Sequence, residues 1–197
     1  MQGVTFLLGK RVFDVVLSLL FLPPLLLIAL GLLLLNPLFN RGPLLYTQAR
    51  MGRHCQPFTA VKFRTMLAAS GPLRGPDEPL ERHRITRLGR FLRKSRLDEL
   101  PQVFNVLKGE MSLIGPRPDA LYHAQEYIEI IPGYRERHAV RPGISGLAQT
   151  EIGYAEGIEA TRRKVRADLY YIEHSGLAME AYIFLRTIQT VLGRRGL

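Results

Sequence analysis

The sequence predicts an α+β, mainly helical protein in which a membrane-anchoring helical hairpin precedes a small, compact cytosolic domain. A long apolar segment near the N-terminus has the length of a membrane helix. Much of the later chain repeats apolar residues with the helical period, and two short apolar runs, Leu44–Tyr46 and Phe58–Phe63, are typical of strands. We therefore assign residues 1–40 to a re-entrant membrane anchor and residues 41–197 to a second domain that also carries amphipathic interfacial helices.

The apolar segment runs over about 24 residues, Val12–Leu35, in which Asp14 and Ser18 are the conventionally polar side chains. A secretory signal peptide fits poorly, because the segment is too long and no small-residue cleavage site follows it. Pro23 and Pro24 lie near its centre, where the second ring removes a backbone donor and clashes with the preceding turn. The halves on either side would rise roughly 14 and 18 Å, each about half the hydrocarbon thickness.

Basic residues flank both ends of this segment, and positive charge favours the cytoplasmic side of a membrane. They are Lys10 and Arg11 before it and Arg41, Arg50 and Arg53 after it. A helix that breaks at Pro23-Pro24 and leaves the membrane by the face it entered would place both basic ends on the cytoplasmic side. The alternative is a kinked helix that spans the membrane fully. Asp14 lies one turn after Lys10, so we expect these two side chains to pair near the interface.

The positive charge is concentrated after the apolar segment. Residues 41–96 hold 13 Lys and Arg against three acids, whereas the whole chain has 27 basic and 17 acidic residues. Such a surplus suits polyanions: nucleic acid, anionic lipid headgroups or a diphosphate substrate. The single cysteine, Cys55, cannot form an internal disulfide, so the sequence does not indicate an oxidising compartment.

The second domain is predicted to be built mostly from helices. From Arg82, an apolar stripe at Ile85, Leu88 and Leu92 and a row of arginines on another side predict a basic amphipathic helix, with a face that is either solvated or at a membrane surface. Residues 68–79 are rich in Gly, Pro and small side chains and are predicted to form a mobile loop. Further helices are predicted at Val103–Leu107, Leu121–Ile131, Glu156–His174 and Leu177–Leu192.

One pair of carboxylates is a candidate for chemistry. Asp98 and Glu99 are adjacent, so on a helix their side chains diverge by about 100° and do not form a proton-sharing dyad. A division of labour suits them better: one carboxylate attacks or binds the reacting group, and the other holds a cation such as Mg²⁺. Arg93 and Arg117 are candidates to neutralise a diphosphate as charge is transferred. An Asp-Glu pair after a basic run is also typical of a helix end, so this pattern alone is weak.

Six ordered blocks then resemble the bacterial sugar transferase family, the monotopic phosphoglycosyl transferases, in its minimal catalytic-domain form. Together they span most of the chain and lie at Lys62–Met66, Arg87–Lys94, Leu97–Gln102, Asn105–Gly109, Met111–Pro118 and Arg141–Gln149. The resemblance implies a re-entrant, monotopic membrane protein of the bacterial inner membrane, with an Mg²⁺-dependent active site on the cytoplasmic face. Only about ten residues precede the membrane segment, from which we expect the extra spans of longer relatives to be lacking.

The resemblance also implies a mechanism in two steps, at the first membrane stage of glycoconjugate synthesis. Asp98 would attack the sugar-linked phosphate of a UDP-sugar and expel UMP, and undecaprenyl (polyprenyl) phosphate would then take the phosphosugar from the aspartyl intermediate. The implied partners are the UDP-sugar, the polyprenyl phosphate, anionic membrane lipids and, as one candidate, a second copy of the chain; no nucleic acid is expected.

Individual residues carry the implied roles. Asp98 and Glu99 match the acidic positions of the family and are expected to be catalytic and to hold the metal, and Asp168 matches an acidic position of open role. The residues implied to grip phosphate are Arg93 and Arg117, with Arg141, Lys62 and Arg64 as further candidates.

The chain departs from the family at three places. Pro23-Pro24 stands where Ser-Pro is common, and Glu180 stands where Asp is common. After Gln149 the usual Gly-Arg is missing, which leaves open how this loop would recognise sugar and nucleotide.

Two rival hypotheses stay open at the level of sequence. One is a non-enzymatic, membrane-anchored basic module for anionic lipid or nucleic acid, although clustered aromatic residues for stacking are missing near the basic stretch. The other is a direct, single-step transfer in which Asp98 acts only as a base or metal ligand.

Overall fold

The computed structural model describes residues 3–68, 75, 81–152 and 157–193. Helices dominate this part of the chain, as predicted, and two small sheets accompany them. The α-helices are α1 (Val4–Leu20), α2 (Leu22–Phe39), α3 (Arg87–Lys94), α4 (Val103–Lys108), α5 (Leu121–Ile130), α6 (Leu147–Glu151), α7 (Ile158–His174) and α8 (Leu177–Leu192). The strands are β1 (Leu45–Met51), β2 (Pro57–Phe63), β3 (Ser112–Ile114) and β4 (Gly143–Ser145).

The helix break in the apolar segment is confirmed, but the prolines lie after it. α1 ends at Leu20, and α2 begins at Leu22 with Pro23 and Pro24 in its first turn. A proline is tolerated there, because the first N–H groups of a helix have no partner within the helix. Among the described residues, α2 is the one helix long and apolar enough to cross a membrane, with a mean hydropathy of 2.1.

The polar face of α1 is bonded to the second domain. Arg11 donates from Nη1 to the Val106 carbonyl (2.6 Å) and from Nη2 to the Leu107 carbonyl (2.9 Å), at the C-terminal end of α4. The predicted pairing of Asp14 with Lys10 is wrong. Asp14 accepts instead from the Leu113 N–H at 3.0 Å, and Lys10 bonds Glu180, which lies 170 positions later in α8.

α2 packs along the same domain. Its buried Leu25 and Leu32 belong to one apolar cluster with Phe63 of β2, Leu92 of α3 and Val103 of α4. At the C-terminal end of α2, the Asn40 amide donates to the Arg64 carbonyl at 2.7 Å. Both arms of the broken helix are thus held by residues of the second domain, while many leucines on α1 and α2 stay exposed.

The two predicted strands form an antiparallel hairpin. Leu45 lies opposite Phe63 and Tyr46 opposite Lys62. The first strand continues to Met51, five residues past its predicted end, because pairing with β2 gives the polar residues after Tyr46 their backbone partners. β3 and β4 pair in parallel, which brings together the two Gly/Pro loops that carry Arg117 and Arg141.

The remaining helices follow the predictions closely. α4 ends at Gly109, whose φ of 84° is the left-handed conformation that glycine adopts at little cost. The basic helix predicted from Arg82 starts as a 3₁₀ turn, and its α-helical part begins at Arg87 after a Thr86 cap. The predicted loop over residues 68–79 lies outside the described residues except for Ala68 and Gly75. Glu156, the predicted start of α7, also lies outside them.

Candidate active site

Asp98 and Glu99 lie in a 3₁₀ helix, Leu97–Gln102, between α3 and α4. Three residues per turn separate neighbouring side chains by about 120°, so the two carboxylates diverge further than on an α-helix. Each residue is only 6% exposed. Two buried carboxylates side by side need compensating charge, and the surrounding elements supply it.

Glu99 is held by Arg117. The Arg117 guanidinium binds both carboxylate oxygens, with Nη1 to Oε2 at 2.9 Å and a second bond from Nη2 to Oε1. Burial alone would raise the pKa of Glu99, but the charge and hydrogen bonds of Arg117 outweigh it and lower the pKa to about 2. Glu99 is therefore ionised throughout the physiological range.

Asp98 has the opposite shift. Burial raises the pKa of Asp98 to about 6, and the negative charge of Glu99 adds to the rise. The positive charges of Lys62, Arg93 and Arg117 act in the other direction. At pH 7 most of Asp98 is still a carboxylate, and it is more basic than an exposed aspartate would be. Two adjacent carboxylates whose pKa values are driven apart are typical of a site in which they have different tasks.

Lys62 provides a positive charge beside this pair. Its Nζ lies 5.6 Å from the centre of the Tyr46 ring, across the hairpin. Burial lowers the pKa of Lys62 to about 8, and Arg50 contributes to the lowering. The ammonium form still prevails at pH 7.

Arg93 is positioned by a close approach of α3 to the end of β2. Its Nε donates to Thr65 Oγ1 at 2.9 Å, and its Nη2 contacts Met66 Sδ at 3.0 Å. The approach requires a glycine at position 89, since a Cβ there would lie 2.0 Å from the Thr65 carbonyl oxygen. The predicted role of Arg93 is therefore compatible with its location.

Arg137 organises the segment that presents Arg117, and the sequence analysis missed it. Its guanidinium donates to Asp168 Oδ2 (2.8 Å), to Asp119 Oδ2 (2.5 Å) and to the backbone carbonyl of Arg117 (2.8 Å). Tyr134 donates to the same Asp119 oxygen at 2.8 Å. Asp168, whose role the sequence left open, is thus a partner of Arg137 and is 1% exposed. Arg137 stands in no recognisable motif, so nothing local in the sequence signals it.

A cavity of about 850 Å³ adjoins these groups. Ten basic and three acidic residues line its described walls, which makes it strongly electropositive. The ten basic residues are Arg41, Arg50, Lys62, Arg64, Arg84, Arg93, Arg96, Arg117, Arg137 and Lys164. Asp98 and Glu99 are not among the lining residues; Arg117, which lines the cavity, is bonded to Glu99.

Two candidate phosphate ligands, Arg64 and Arg141, are bonded to backbone carbonyls. Arg64 lines the cavity, but its guanidinium donates to the backbone carbonyls of Asn40 and Pro43, the latter at 2.7 Å, and so ties the end of α2 to β2. Arg141 is not among the lining residues and donates from Nε to the Gly109 carbonyl at 2.8 Å. The structure therefore brings Lys62, Arg93 and Arg117 together with the carboxylates, and it does not bring Arg141 to them.

The donor set fits a cation that shares its ligands with a substrate. No group of three His, Cys, Asp or Glu side chains suited to a metal occurs in the described part of the chain. Arg117 occupies two of about four acceptor positions of Glu99, which leaves lone pairs for a cation. Asp98 and Glu99 with diphosphate oxygens would supply the mixed oxygen coordination that Mg²⁺ prefers.

Comparison with known proteins gives consistent matches over nearly the whole chain. The family model described as bacterial sugar transferase matches residues 5–194. The UDP-N-acetylgalactosamine-undecaprenyl-phosphate N-acetylgalactosaminephosphotransferase of Aeromonas hydrophila is 41% identical over 186 residues, which cover 93% of this chain and 43% of that protein. The UDP-glucose:undecaprenyl-phosphate glucose-1-phosphate transferase of Caulobacter vibrioides is 43% identical, covering 94% of this chain and 70% of its own length.

A relative of similar length also matches. An exopolysaccharide production protein of Rhizobium leguminosarum bv. phaseoli is 37% identical and is covered over 96% of its length. The chain thus spans less than half of the Aeromonas protein and nearly all of the Rhizobium protein.

Proposed function

The chain belongs to the bacterial sugar transferase family, and from that premise we propose that it transfers a sugar 1-phosphate from a UDP-sugar to undecaprenyl phosphate and releases UMP. The observation that carries this proposal is the pair of buried carboxylates with opposite pKa shifts, held beside an electropositive cavity. The names of the Aeromonas and Caulobacter relatives agree with the substrate classes.

In the first step, a carboxylate oxygen of Asp98 attacks the phosphorus that carries the sugar. A bond forms between this oxygen and phosphorus, the bond from phosphorus to the bridging diphosphate oxygen breaks, and UMP leaves with that oxygen. Lys62, Arg93 and Arg117 are positioned to stabilise the charge that develops on the phosphate oxygens. The raised pKa of Asp98 makes its carboxylate a better nucleophile than an ordinary aspartate.

In the second step, a phosphate oxygen of undecaprenyl phosphate attacks the same phosphorus. The bond between phosphorus and Asp98 breaks, the carboxylate is regenerated, and a polyprenyl diphosphate sugar is released. Asp98 and Glu99 would hold Mg²⁺ together with diphosphate oxygens, and the bound ion would neutralise phosphate charge.

The lipid acceptor requires this chemistry to take place at a membrane surface. We propose that α1 and α2 form a re-entrant hairpin in the cytoplasmic membrane of a bacterium, with the second domain on the cytoplasmic side. Bonds to the second domain on both arms support this topology. They involve Arg11 and Asp14 on α1 and Asn40 at the end of α2. Exposed leucines on both arms are suited to contact with lipid.

The deciding experiment is a panel of UDP-sugars mixed with the purified full chain, Mg²⁺ and undecaprenyl phosphate. We expect one donor or a small group to release UMP and to form lipid-linked sugar. Asp98→Asn should abolish both while leaving membrane association unchanged, because the amide is not a nucleophile. A non-enzymatic membrane module would release no UMP with any donor.

Omission of the acceptor separates two-step from direct transfer. With labelled donor alone, the two-step mechanism predicts one label per active chain on a peptide that contains Asp98. Turnover without such a labelled peptide would favour direct transfer and contradict the nucleophilic role of Asp98.

A further inference from the structure

The cavity has two ends of different chemistry. β1 lines it from Leu45 to Arg50, and five residue steps along a strand span about 17 Å. Lys62, opposite Tyr46 on this hairpin, provides one of the charges that act on Asp98. A ligand bound along β1 can therefore have its reacting group beside the carboxylates and further groups at either end.

The end near the membrane helices exposes apolar side chains, and the basic residues Arg41, Arg64 and Arg84 also line it. Leu45 and Leu67 line it and are 47% and 50% exposed. Pro43, also in the lining, follows α2, whose last-turn residues Leu38 and Phe39 are exposed as well. A lipid acceptor that approaches from the bilayer meets this end first.

The opposite end is aromatic and polar. Arg50 forms an isolated β-bridge with Ala120 and donates to the Pro118 carbonyl, which joins the far end of β1 to the segment just after Arg117. α5 begins there, and Tyr122 and His123 of its first turn both line the cavity. Their ring centres are 4.2 Å apart.

α7 forms the facing wall of this end. Four residues of this wall line the cavity at the spacing of one helical face: Gly157, Thr161, Lys164 and Asp168. Asp168 is neutralised by Arg137, and the Thr161 hydroxyl donates to the Gly157 carbonyl at 3.0 Å. Lys164 is half-buried and contributes a positive charge to this wall.

We propose that the α5–α7 end of the cavity binds the nucleoside monophosphate half of the donor, with the pyrimidine against Tyr122 and the nucleoside-linked phosphate near Lys164. The assignment rests on the proposed function. A diphosphate that reaches Arg117 has the start of α5 beside it, because Arg117, Ala120 and Tyr122 all line the same cavity. Aromatic rings bind bases by stacking, whereas the other end combines exposed leucines with basic side chains, which suits the tail and phosphate of a polyprenyl phosphate.

UMP, a product of the proposed reaction, is the probe for this subsite. Binding of UMP to the full chain in nanodiscs should weaken about tenfold or more in Tyr122→Ala and remain near wild type in Tyr122→Phe, because the phenyl ring still stacks. Tyr170→Ala is the matched control, since Tyr170 lies on the exposed side of α7 and is 52% exposed. Leu67→Ala, at the end of the cavity near the membrane helices, should leave UMP affinity unchanged and raise the KM for undecaprenyl phosphate.

Unchanged UMP affinity in Tyr122→Ala, or a loss in Leu67→Ala instead, would overturn the assignment. If thermal unfolding shows that Tyr122→Ala is not folded, Lys164→Gln provides the same test, because it should weaken the binding of UMP and leave the binding of uridine unchanged.

The two proposals fail in different ways. Transfer with an unaltered donor KM in Tyr122→Ala rejects only the subsite, whereas UMP binding without transfer from any donor rejects only the function.

Discussion

The opposite pKa shifts of Asp98 and Glu99 arise from one difference in contacts. Arg117 binds both oxygens of Glu99, so its charge outweighs the cost of burial. Asp98 is influenced by Lys62, Arg93 and Arg117, but burial and the neighbouring Glu99 outweigh them. The carboxylate proposed to attack is therefore the one that is not held in an ion pair by Arg117.

This difference predicts a pH dependence. In the proposed mechanism Asp98 attacks as a carboxylate, and burial raises its pKa to about 6, so kcat/KM for the donor should fall as the pH drops through 6, about tenfold per pH unit below it. Lys62→Met removes a positive charge that lowers the pKa of Asp98, so the acid limb of the profile should move to higher pH. Lys108→Met, at the end of α4, is the matched control. An acid limb at the same pH in wild type and Lys62→Met would contradict the prediction.

A second prediction concerns Arg137, which is 3% exposed. Arg137→Met would leave Asp119 and Asp168 without their guanidinium and the Arg117 carbonyl without its donor. We expect a loss of about 3–5 kcal/mol in unfolding free energy, measured by denaturation in detergent, because the buried Asp168 and the partly buried Asp119 lose their counter-charge. Arg163→Met, on the exposed face of α7, should be close to neutral. A small effect of Arg137→Met would show that the network does not hold the Arg117 segment.

At the scale of elements, α1 is part of the domain that carries the site. Arg11 binds two of the last carbonyls of α4, and α4 follows directly from the 3₁₀ helix of Asp98 and Glu99. Lys10 adds a bond to the Ile114 carbonyl at 2.9 Å, just before the turn that presents Arg117. A helix predicted as a membrane anchor therefore also fixes two segments of the site.

Arg11→Ala tests this arrangement. Loss of two charge-assisted bonds at the end of α4 should destabilise the protein by about 1.5–3 kcal/mol and speed hydrogen exchange in residues 103–109. Turnover should fall as the 3₁₀ helix loosens, while membrane association is retained. Arg135→Ala, at an exposed position, is the control. If exchange in α4 is unchanged, α1 serves only as an anchor.

Local sequence pattern predicted most of the helices and strands, but it did not predict which site residues bond to one another. Periodicity located α5, α7 and α8 to within a few residues, and sequence blocks identified Asp98, Glu99 and Arg117. Partners distant in sequence were not predictable. Lys10 was expected to pair with its helical neighbour Asp14, but in the structure it bonds to Glu180 of α8. Arg141 was a further candidate phosphate ligand from the family resemblance, yet in the structure it donates to the Gly109 carbonyl and does not line the cavity.

For the molecule as a whole, topology is the main prediction. A chain with Cys55 replaced by Ser and a single cysteine introduced at Gly3 or Arg41 should be labelled from the same side of sealed vesicles. Both arms of the hairpin bond to the second domain, so both ends should face the compartment that contains it. Labelling from opposite sides would establish a full span and contradict the re-entrant hairpin.

The bond between Lys10 and Glu180 has a consequence for biosynthesis. Lys10 is synthesised 170 residues before its partner, so the first helix cannot complete this bond until α8 has been made. Lys10 donates to two oxygens that are synthesised one after the other. The Ile114 carbonyl comes first, and the Glu180 carboxylate comes only with α8. A nascent chain stalled before position 180 would lack the carboxylate that neutralises the Lys10 ammonium group, so α1 would be attached to the rest of the fold by fewer bonds.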